Sequence, residues 1–255
     1  MEERLLHKED NTKIAYSISG EGEAIVMLHG FGADRTTLVK SGWIRDLEPY
    51  YTVIAMDIRG LGESSISHDP DFYRLDRIIE DIEQVIQECG FTQFSIFGHS
   101  YGGSIALRAI KSGLPIKKAI IASGTWDAEF FHNDIPKWII EYSEMNEKKK
   151  RKQFTDMTKE EQEWAQATDL DNYIAQFRAW TTFESVTINE ITIPVFLYSG
   201  TEDEPRAIHF ILDNESEFKQ KLWKYKIYNG MNHSDLVREE PQIITDVLEF
   251  MERSR

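Results

Sequence analysis

One serine in this chain has the sequence surroundings that a catalytic nucleophile requires. Ser100 lies in the pattern Gly98-x-Ser100-x-Gly102, after an apolar segment and before a run with helical apolar spacing. This context is typical of a nucleophile elbow, a tight turn that holds the serine in a strained backbone conformation. The glycines leave room for the neighbouring strand and helix. We therefore predict that Ser100 is a nucleophile for acyl chemistry.

A serine hydroxyl becomes nucleophilic when a base takes its proton, and a carboxylate usually orients that base. Of the seven histidines, His233 has the most suitable place, between the last predicted strand and the last predicted helix. Asp203 follows the predicted strand 195–198 closely and is our choice for the acid. Three other carboxylates stay open as alternatives: Asp127, Glu202 and Glu204. We interpret four further histidines as surface or structural residues: His7, His68, His132 and His209.

Attack on a carbonyl builds negative charge on its oxygen, which preorganised N–H groups must stabilise. The backbone N–H of Tyr101, the residue after the nucleophile, lies at a helix start where such groups have no intrahelical acceptor. Phe31 follows another strand and lies between two glycines, which let its backbone approach a substrate. We predict an oxyanion hole formed by Phe31 and Tyr101. This chemistry requires no cofactor and no metal.

Short apolar runs that alternate with helical patterns predict an α/β fold with a mostly parallel central sheet flanked by helices. Five runs are apolar almost throughout, as strands covered on both faces are: 24–28, 52–56, 94–97, 119–122 and 195–198. Runs at 5–6 and 14–16 predict a hairpin at the sheet edge, and 225–228 an outer strand. Helical spacing is clearest over 75–86 and 243–251.

The alternation stops between Trp126 and Asn189, where aromatic residues are frequent and no strand is predicted. The segment is too long for an ordinary loop. We predict a helical cap, or lid, at 126–189, inserted into a core domain of residues 1–125 and 190–255. Its aromatic side chains form the core of the cap or face a pocket, where they would favour apolar or aromatic groups.

The chain has 255 residues and a formal net charge of −15, which disfavours nucleic acids and anionic membranes as partners. Its basic run, 148–152, is flanked by acidic residues, among them Asp156, and is interpreted as a solvated helix face. Cys89, the single cysteine, cannot form an intrachain disulfide. Without a signal peptide or an apolar stretch of about 18 to 20 residues, we expect a cytoplasmic protein. The sequence gives no oligomeric state.

The loop motifs together resemble the α/β-hydrolase superfamily, in its branch with a helical cap. The resemblance covers about residues 12 to 252 and is carried by five segments: His29–Gly32, Asp57–Ser64, Gly98–Gly103, Gly200–Asp203 and His233. The chain order serine, aspartate, histidine is the order of this superfamily. The resemblance implies that His29 and His99 are structural, and that 57–64 shapes the loop after the next strand.

Three positions depart from particular branches of that superfamily. Epoxide hydrolases and haloalkane dehalogenases have an aspartate nucleophile where this chain has Ser100. Gly32 replaces the proline of the His-Gly-x-Pro form, and Tyr101 stands where proline iminopeptidases usually have tryptophan. A serine favours acyl chemistry.

These observations predict a serine hydrolase that cleaves a small hydrophobic carboxylic ester through an acyl-enzyme. The same residues also serve lactone, thioester and C–C bond hydrolysis and perhydrolysis on this fold, so those reactions stay open. A third possibility is a ligand-binding member of the fold without turnover. Binding alone has no need for Ser100, Asp203 and His233 together, which argues against it.

Overall fold

The strands form where the sequence is apolar enough to be buried on both faces. The computed structural model describes residues 1–154, 157–221, 223–238 and 241–252, and one eight-stranded sheet lies within them. Its strands are β1 (Glu2–His7), β2 (Lys13–Ser19), β3 (Ala24–Leu28), β4 (Thr52–Met56), β5 (Phe94–His99), β6 (Ile116–Ala122), β7 (Val195–Glu202) and β8 (Lys224–Asn232).

The strand order across the sheet is β1-β2-β4-β3-β5-β6-β7-β8. β1 and β2 form an antiparallel hairpin in which Leu6 pairs with Ile14, and β2 runs antiparallel to β4. Every neighbouring pair from β4 through β3 to β8 is parallel. The predicted mostly parallel sheet, its edge hairpin and its outer strand are confirmed.

Helices cover both faces of this sheet. They are α1 (Arg35–Lys40), α2 (Trp43–Leu47), α3 (Leu75–Glu88), α4 (Tyr101–Lys111), α5 (Ile135–Arg151), α6 (Lys159–Ala167), α7 (Leu170–Trp180), α8 (Pro205–Asp213), α9 (Glu215–Gln220) and α10 (Pro241–Glu252). Because successive strand residues point to opposite faces, Val26 packs in one core cluster and Met27 in the other. α3 and α4 cover the first face, and α2 and α10 the second.

Residues 126–189, called the insert below, lie between β6 and β7. In their described part, 126–154 and 157–189, the structure has α5, α6, α7, a π-helical turn (Phe130–Asp134) and a 3-10 turn (Ile188–Glu190), and no strand. Phe177 of α7 is buried against the rings of Trp138 and Tyr142 on α5. Aromatic packing therefore joins these two helices.

Polar contacts at Asn172 and at Asp134 help to attach the insert to the rest of the chain. On α7, Asn172 Nδ2 donates to the carbonyl of Gly60 (2.9 Å), and Tyr73 Oη donates to Asn172 Oδ1 (2.5 Å). Just before α5, Asp134 forms an ion pair with Arg206 of α8 (3.1 Å). The first contact is buried and the second is half exposed.

The basic run ends α5 and is largely paired. Lys149 donates to the carbonyl of Thr168, and Lys150 pairs with Asp171. Asp156, one of its predicted acidic flanks, lies outside the described residues. No helix in the described ranges combines the length and the apolar character that a membrane span needs.

Candidate active site

Ser100 lies in the turn that connects β5 to α4, at the carboxyl edge of the sheet. Its backbone angles are φ 55° and ψ −115°, a region that residues with a side chain rarely adopt. Its N–H donates to the carbonyl of Ala122 at the end of β6 (2.8 Å). Strained residues of this kind concentrate at functional sites, where the surrounding structure holds them in place.

The glycines beside Ser100 have a steric role. A Cβ at Gly98 would collide with the carbonyl of Gly102, and a Cβ at Gly102 would lie 2.5 Å from the carbonyl oxygen of Leu28. Gly30 approaches from the neighbouring loop, where a Cβ would lie 3.4 Å from Cβ of Ser100. The turn therefore packs tightly against the end of β3 and its loop.

Asp203 and His233 are paired at the same edge of the sheet. His233 Nδ1 lies 2.6 Å from Asp203 Oδ1, which also accepts from the N–H of Glu204 (2.7 Å). The Ser199 hydroxyl donates to Asp203 Oδ2 (2.8 Å). Burial raises the pKa of the Asp203 carboxyl, but hydrogen bonds, led by the one from His233, outweigh burial and lower this pKa to about 2. Asp203 is therefore a carboxylate at neutral pH.

His99 supports the loop that carries His233. Burial, followed by the nearby His233, lowers the pKa of His99 to about 4, so its ring is neutral at pH 7. Its Nε2 lies 2.9 Å from the carbonyl oxygen of His233, and that oxygen can only accept. Nε2 of His99 therefore carries the proton, and the bond holds the His233 loop against β5.

Ser100 and His233 line the same two cavities, described below. His233 is 40% exposed, and its Nδ1 is engaged by Asp203, so Nε2 is the ring atom available to a hydroxyl. Between these two described side chains the structure forms no hydrogen bond. Nucleophile–base bonds often tighten only in a substrate complex.

The loop 29–32 fixes the direction of the Phe31 amide. The carbonyl of Gly30 accepts from His29 Nδ1 (2.8 Å) and from the N–H of Ala33 (3.3 Å). In a trans peptide the next N–H points the opposite way, which turns the Phe31 N–H away from those donors. His29 Nε2 accepts from the N–H of Ile58 (3.1 Å), so this buried ring serves as a structural brace.

Tyr101 begins α4, so its N–H is one of the helix-start groups without an intrahelical acceptor. Phe31, Ser100 and Tyr101 all line one cavity, and the oxyanion hole formed by Phe31 and Tyr101 stays a prediction. The Tyr101 ring stacks on Trp180 of the insert with ring centroids 4.1 Å apart. The Phe31 ring contacts Trp180 edge-on at 4.9 Å.

The side chains of the other candidate acids make no contact with His233, although Asp127 and Glu204 line the same cavity as His233. Asp127 lines a cavity wall and accepts from the N–H of Phe130 (3.2 Å), whereas Glu202 and Glu204 are exposed. The four histidines interpreted as surface or structural residues are exposed: His7, His68, His132 and His209. Among the described residues, no group of three or more His, Cys, Asp or Glu side chains could hold a metal ion.

A cavity of about 650 Å³, the insert-side cavity, extends from Ser100 beneath the insert. Eight aromatic residues contribute to its wall: Phe31, Tyr101, Trp126, Phe130, Phe131, Trp138, Trp180 and Phe210. Charged side chains of Asp134, Lys137 and Arg206 also line it. This lining is suited to an aromatic or extended apolar group.

A second cavity of about 350 Å³, the core-side cavity, reaches Ser100 from the direction of α1. Its lining comes from the loop after β3, from α1, and from the segment around His233. Hydroxyl-bearing residues at its wall are Thr37, Ser41 and Ser234. The two cavities share Phe31, Ser100 and His233.

Two features of the site were missed by the sequence reasoning. Ser199, fully buried, holds the Asp203 oxygen that His233 leaves free, and its only sequence signal is a polar residue at the end of an apolar strand. The ion pair between Arg206 and Asp134 joins residues 72 positions apart, and neither residue has a distinctive local sequence.

A family model described as the alpha/beta hydrolase fold matches residues 23–141. Epoxide hydrolase 4 of Mus musculus is 32% identical over 104 residues, which cover 39% of this chain and 28% of the mouse protein. N-formylmaleamate deformylase of Pseudomonas putida is 31% identical over 97 residues, which cover 38% of this chain and 35% of that protein. The matches thus span 28% to 35% of these curated relatives.

A solved structure described under novel epoxide hydrolases from metagenomes of hot environments covers 98% of both chains. It superposes with a TM-score of 0.73 at 17% sequence identity. At this identity the likeness shows the fold.

Proposed function

We propose that this chain is a serine hydrolase of the α/β-hydrolase superfamily that cleaves a carboxylic ester. Ser100 is the nucleophile, His233 the general base and acid, and Asp203 the carboxylate that orients His233. One observation carries the proposal: the 2.6 Å contact between His233 and Asp203, in a site where His233 and the strained Ser100 line the same cavities.

The first half-reaction forms an acyl-enzyme. His233 Nε2 takes the proton of Ser100 Oγ, and this oxygen attacks the ester carbonyl carbon. The N–H groups of Phe31 and Tyr101 stabilise the resulting oxyanion, and each such donor contributes about 2.7 to 4 kcal/mol in comparable sites. When the carbonyl re-forms, the bond to the alcohol oxygen breaks, and His233 gives that oxygen the proton.

The second half-reaction regenerates the serine. His233 takes a proton from water, the hydroxide oxygen bonds to the acyl carbon, and the bond to Ser100 Oγ breaks. The proton returns from His233 to Ser100. The Asp203 carboxylate stabilises the imidazolium that forms in each step.

The serine also argues for acyl chemistry over epoxide opening. Two of the similar proteins are epoxide hydrolases by name, and in that branch the nucleophile is an aspartate, whereas this chain has Ser100. The aromatic wall of the insert-side cavity favours an ester with an aromatic or apolar part. We propose that the insert acts as the cap of the core domain and excludes water from this cavity.

A second candidate uses the same residues on another acyl bond. The Pseudomonas putida relative is a deformylase by name, so hydrolysis of a formyl amide is a further candidate reaction. It joins lactone, thioester and C–C bond hydrolysis and perhydrolysis, which the same residues can carry out on this fold. Assay of one formyl amide, one lactone and one thioester beside a simple ester separates these activities by their relative kcat/KM.

The test of the proposal compares the wild-type protein with Ser100→Ala. We expect hydrolysis of a p-nitrophenyl ester and covalent labelling by a fluorophosphonate in the wild type, and neither in the variant. Ser104→Ala is the matched control, because Ser104 lines the same cavity one helical turn away. Labelling that persists in Ser100→Ala would refute the assignment of the nucleophile.

A further inference from the structure

The nucleophile lies where two cavities meet. The insert-side and core-side cavities share Phe31, Ser100 and His233, which are the proposed oxyanion donor, nucleophile and base. A carbonyl carbon attacked by Ser100 therefore has one substituent directed into each cavity. The question is which cavity holds the acyl group and which the alcohol.

The two cavities differ in what encloses them. Trp126, Phe130, Trp138 and Trp180, all from the insert, form much of the insert-side wall. The core-side lining comes from positions 29–41, 99–100 and 233–238, and none of its described residues belongs to the insert. A molecule in the core-side cavity can therefore leave without displacement of the insert.

Acyl-enzyme chemistry makes different demands on the two substituents. The acyl group stays covalently attached to Ser100 through both half-reactions, so it can be enclosed throughout. The alcohol must leave between the two half-reactions, and water must then reach the same face of His233. This is because the same imidazole protonates the leaving alcohol and deprotonates the attacking water. A cavity that exchanges its contents independently of the insert meets that second demand.

We infer that the insert-side cavity binds the acyl group and that the core-side cavity binds the leaving alcohol and then the attacking water. This inference rests on the proposed ester hydrolysis and names its substrate class: esters of an aromatic or extended apolar acid with a small alcohol. A volume of about 350 Å³ is at the lower end of ligand sites. The residues Thr37, Ser41 and Ser234 bring hydroxyl groups to that lining, which suits an alcohol oxygen or water.

The same assignment predicts acyl transfer to an added alcohol. An alcohol in the core-side cavity gives its proton to His233, and its oxygen bonds to the acyl carbon as the bond to Ser100 Oγ breaks. The proton then passes to Ser100. The products are a new ester and the free enzyme.

One substitution in each cavity tests the assignment. Thr37→Phe fills the core-side cavity from α1, and Ala207→Phe fills the insert-side cavity from α8; both residues are half-buried wall residues. The substrates are benzyl acetate, with a large alcohol, and methyl benzoate, with a large acyl group. We expect Thr37→Phe to lower kcat/KM about tenfold for benzyl acetate with little change for methyl benzoate, and Ala207→Phe to do the reverse.

Acyl transfer gives a second readout, because the new ester and the free acid are two products of the same variant that can be compared directly. With methyl benzoate as donor and benzyl alcohol as acceptor, Thr37→Phe should lose most of the benzyl benzoate product while it still releases benzoate. Fluorophosphonate labelling and a thermal unfolding transition establish that each variant is folded and that Ser100 is reactive.

The opposite result, in which Thr37→Phe impairs cleavage of methyl benzoate and Ala207→Phe impairs cleavage of benzyl acetate, would overturn the assignment. Equal losses on both esters in both variants would also overturn it. A wild-type protein that cleaves neither of these esters, nor any other simple ester, would instead contradict the proposed function itself. The two failures are therefore distinguishable.

Discussion

The Ser199 hydroxyl donates a 2.8 Å hydrogen bond to Oδ2 of Asp203. This oxygen is the one that His233 does not contact, because His233 Nδ1 lies against Oδ1. Ser199 is fully buried at the end of β7, so the bond has no competition from water. The proposed catalytic carboxylate is thus held on both of its oxygens, and its plane is fixed relative to the imidazole.

Removal of this hydroxyl should change the pH dependence of activity. Ser199→Ala removes one of the hydrogen bonds that lower the pKa of Asp203, so protonation of this carboxyl, which would release His233, begins at a higher pH. We expect kcat/KM to fall about fivefold at neutral pH, and further in mildly acidic solution. The measurement is the pH profile of kcat/KM for a p-nitrophenyl ester.

The control for this variant is Thr201→Ala, which removes a hydroxyl from the same strand. Thr201 accepts from the N–H of Gly230 and contacts neither Asp203 nor His233 through its hydroxyl. Its profile should keep the wild-type shape. A Ser199→Ala profile that is lowered equally at all pH values would mean that Ser199 only supports the fold.

Asp203 should also link folding stability to acid pH. Its hydrogen bonds, led by the one from His233, lower its pKa from the ordinary 3.8 to about 2 against the opposing effect of burial. A carboxyl whose pKa is lower in the folded state contributes stability that is complete above the unfolded pKa and is lost as the pH falls toward 2. The full contribution corresponds to about 2 kcal/mol.

Urea unfolding of the wild type and Asp203→Asn at several pH values measures this term. The difference in unfolding free energy between the two proteins should shrink by about 2 kcal/mol between neutral pH and pH of about 2. A constant difference for Asp203→Asn would contradict the lowered pKa.

The strained backbone of Ser100 gives a prediction about stability that is independent of the substrate. At φ 55° and ψ −115°, a residue with a Cβ is disfavoured, whereas glycine adopts positive φ readily. Ser100→Gly should therefore be more stable than Ser100→Ala by about 1 to 2 kcal/mol, although both lack the nucleophile. Elsewhere glycine usually lowers stability relative to alanine.

Chemical denaturation of the two variants provides the comparison. Equal stabilities, or a more stable alanine variant, would show that the turn relaxes when the hydroxyl is removed and that the side chain itself causes no strain. Both proteins should fail to react with a fluorophosphonate, which separates the structural result from the catalytic one.

The parts of the fold that local sequence determines could be predicted. β3 and β4 are apolar on both faces, so their place inside a covered sheet follows from composition alone. The glycines at 98 and 102 were likewise predictable, because the collisions that a Cβ would cause involve the turn and the strand beside it. Chain order pointed to Asp203 and His233, and the structure brings these two side chains together.

Contacts between distant segments could not be predicted in the same way. Trp126 was assigned to the insert, yet its ring stacks on Phe210 of α8 at 4.5 Å, which no periodic pattern in either segment indicates. The core-side cavity depends on how α1 approaches the segment after His233. That approach is set by contacts such as the bond from Trp43 Nε1 to the carbonyl of Val237 (3.0 Å), 194 positions away.

The attachment of the insert gives the last prediction. Asn172 is buried and bonds to Gly60 and Tyr73, so Asn172→Ala removes two buried hydrogen bonds and should cost about 1 to 3 kcal/mol of stability. The ion pair between Arg206 and Asp134 has side chains 38% and 34% exposed, and Arg206→Ala should cost about 1 kcal/mol or less. Urea unfolding and limited proteolysis of the insert measure both effects. We expect α7 to be the principal attachment of the insert, so proteolytic cleavage within the insert should become faster in Asn172→Ala only. Faster cleavage in Arg206→Ala alone would instead place the principal attachment at the start of α5.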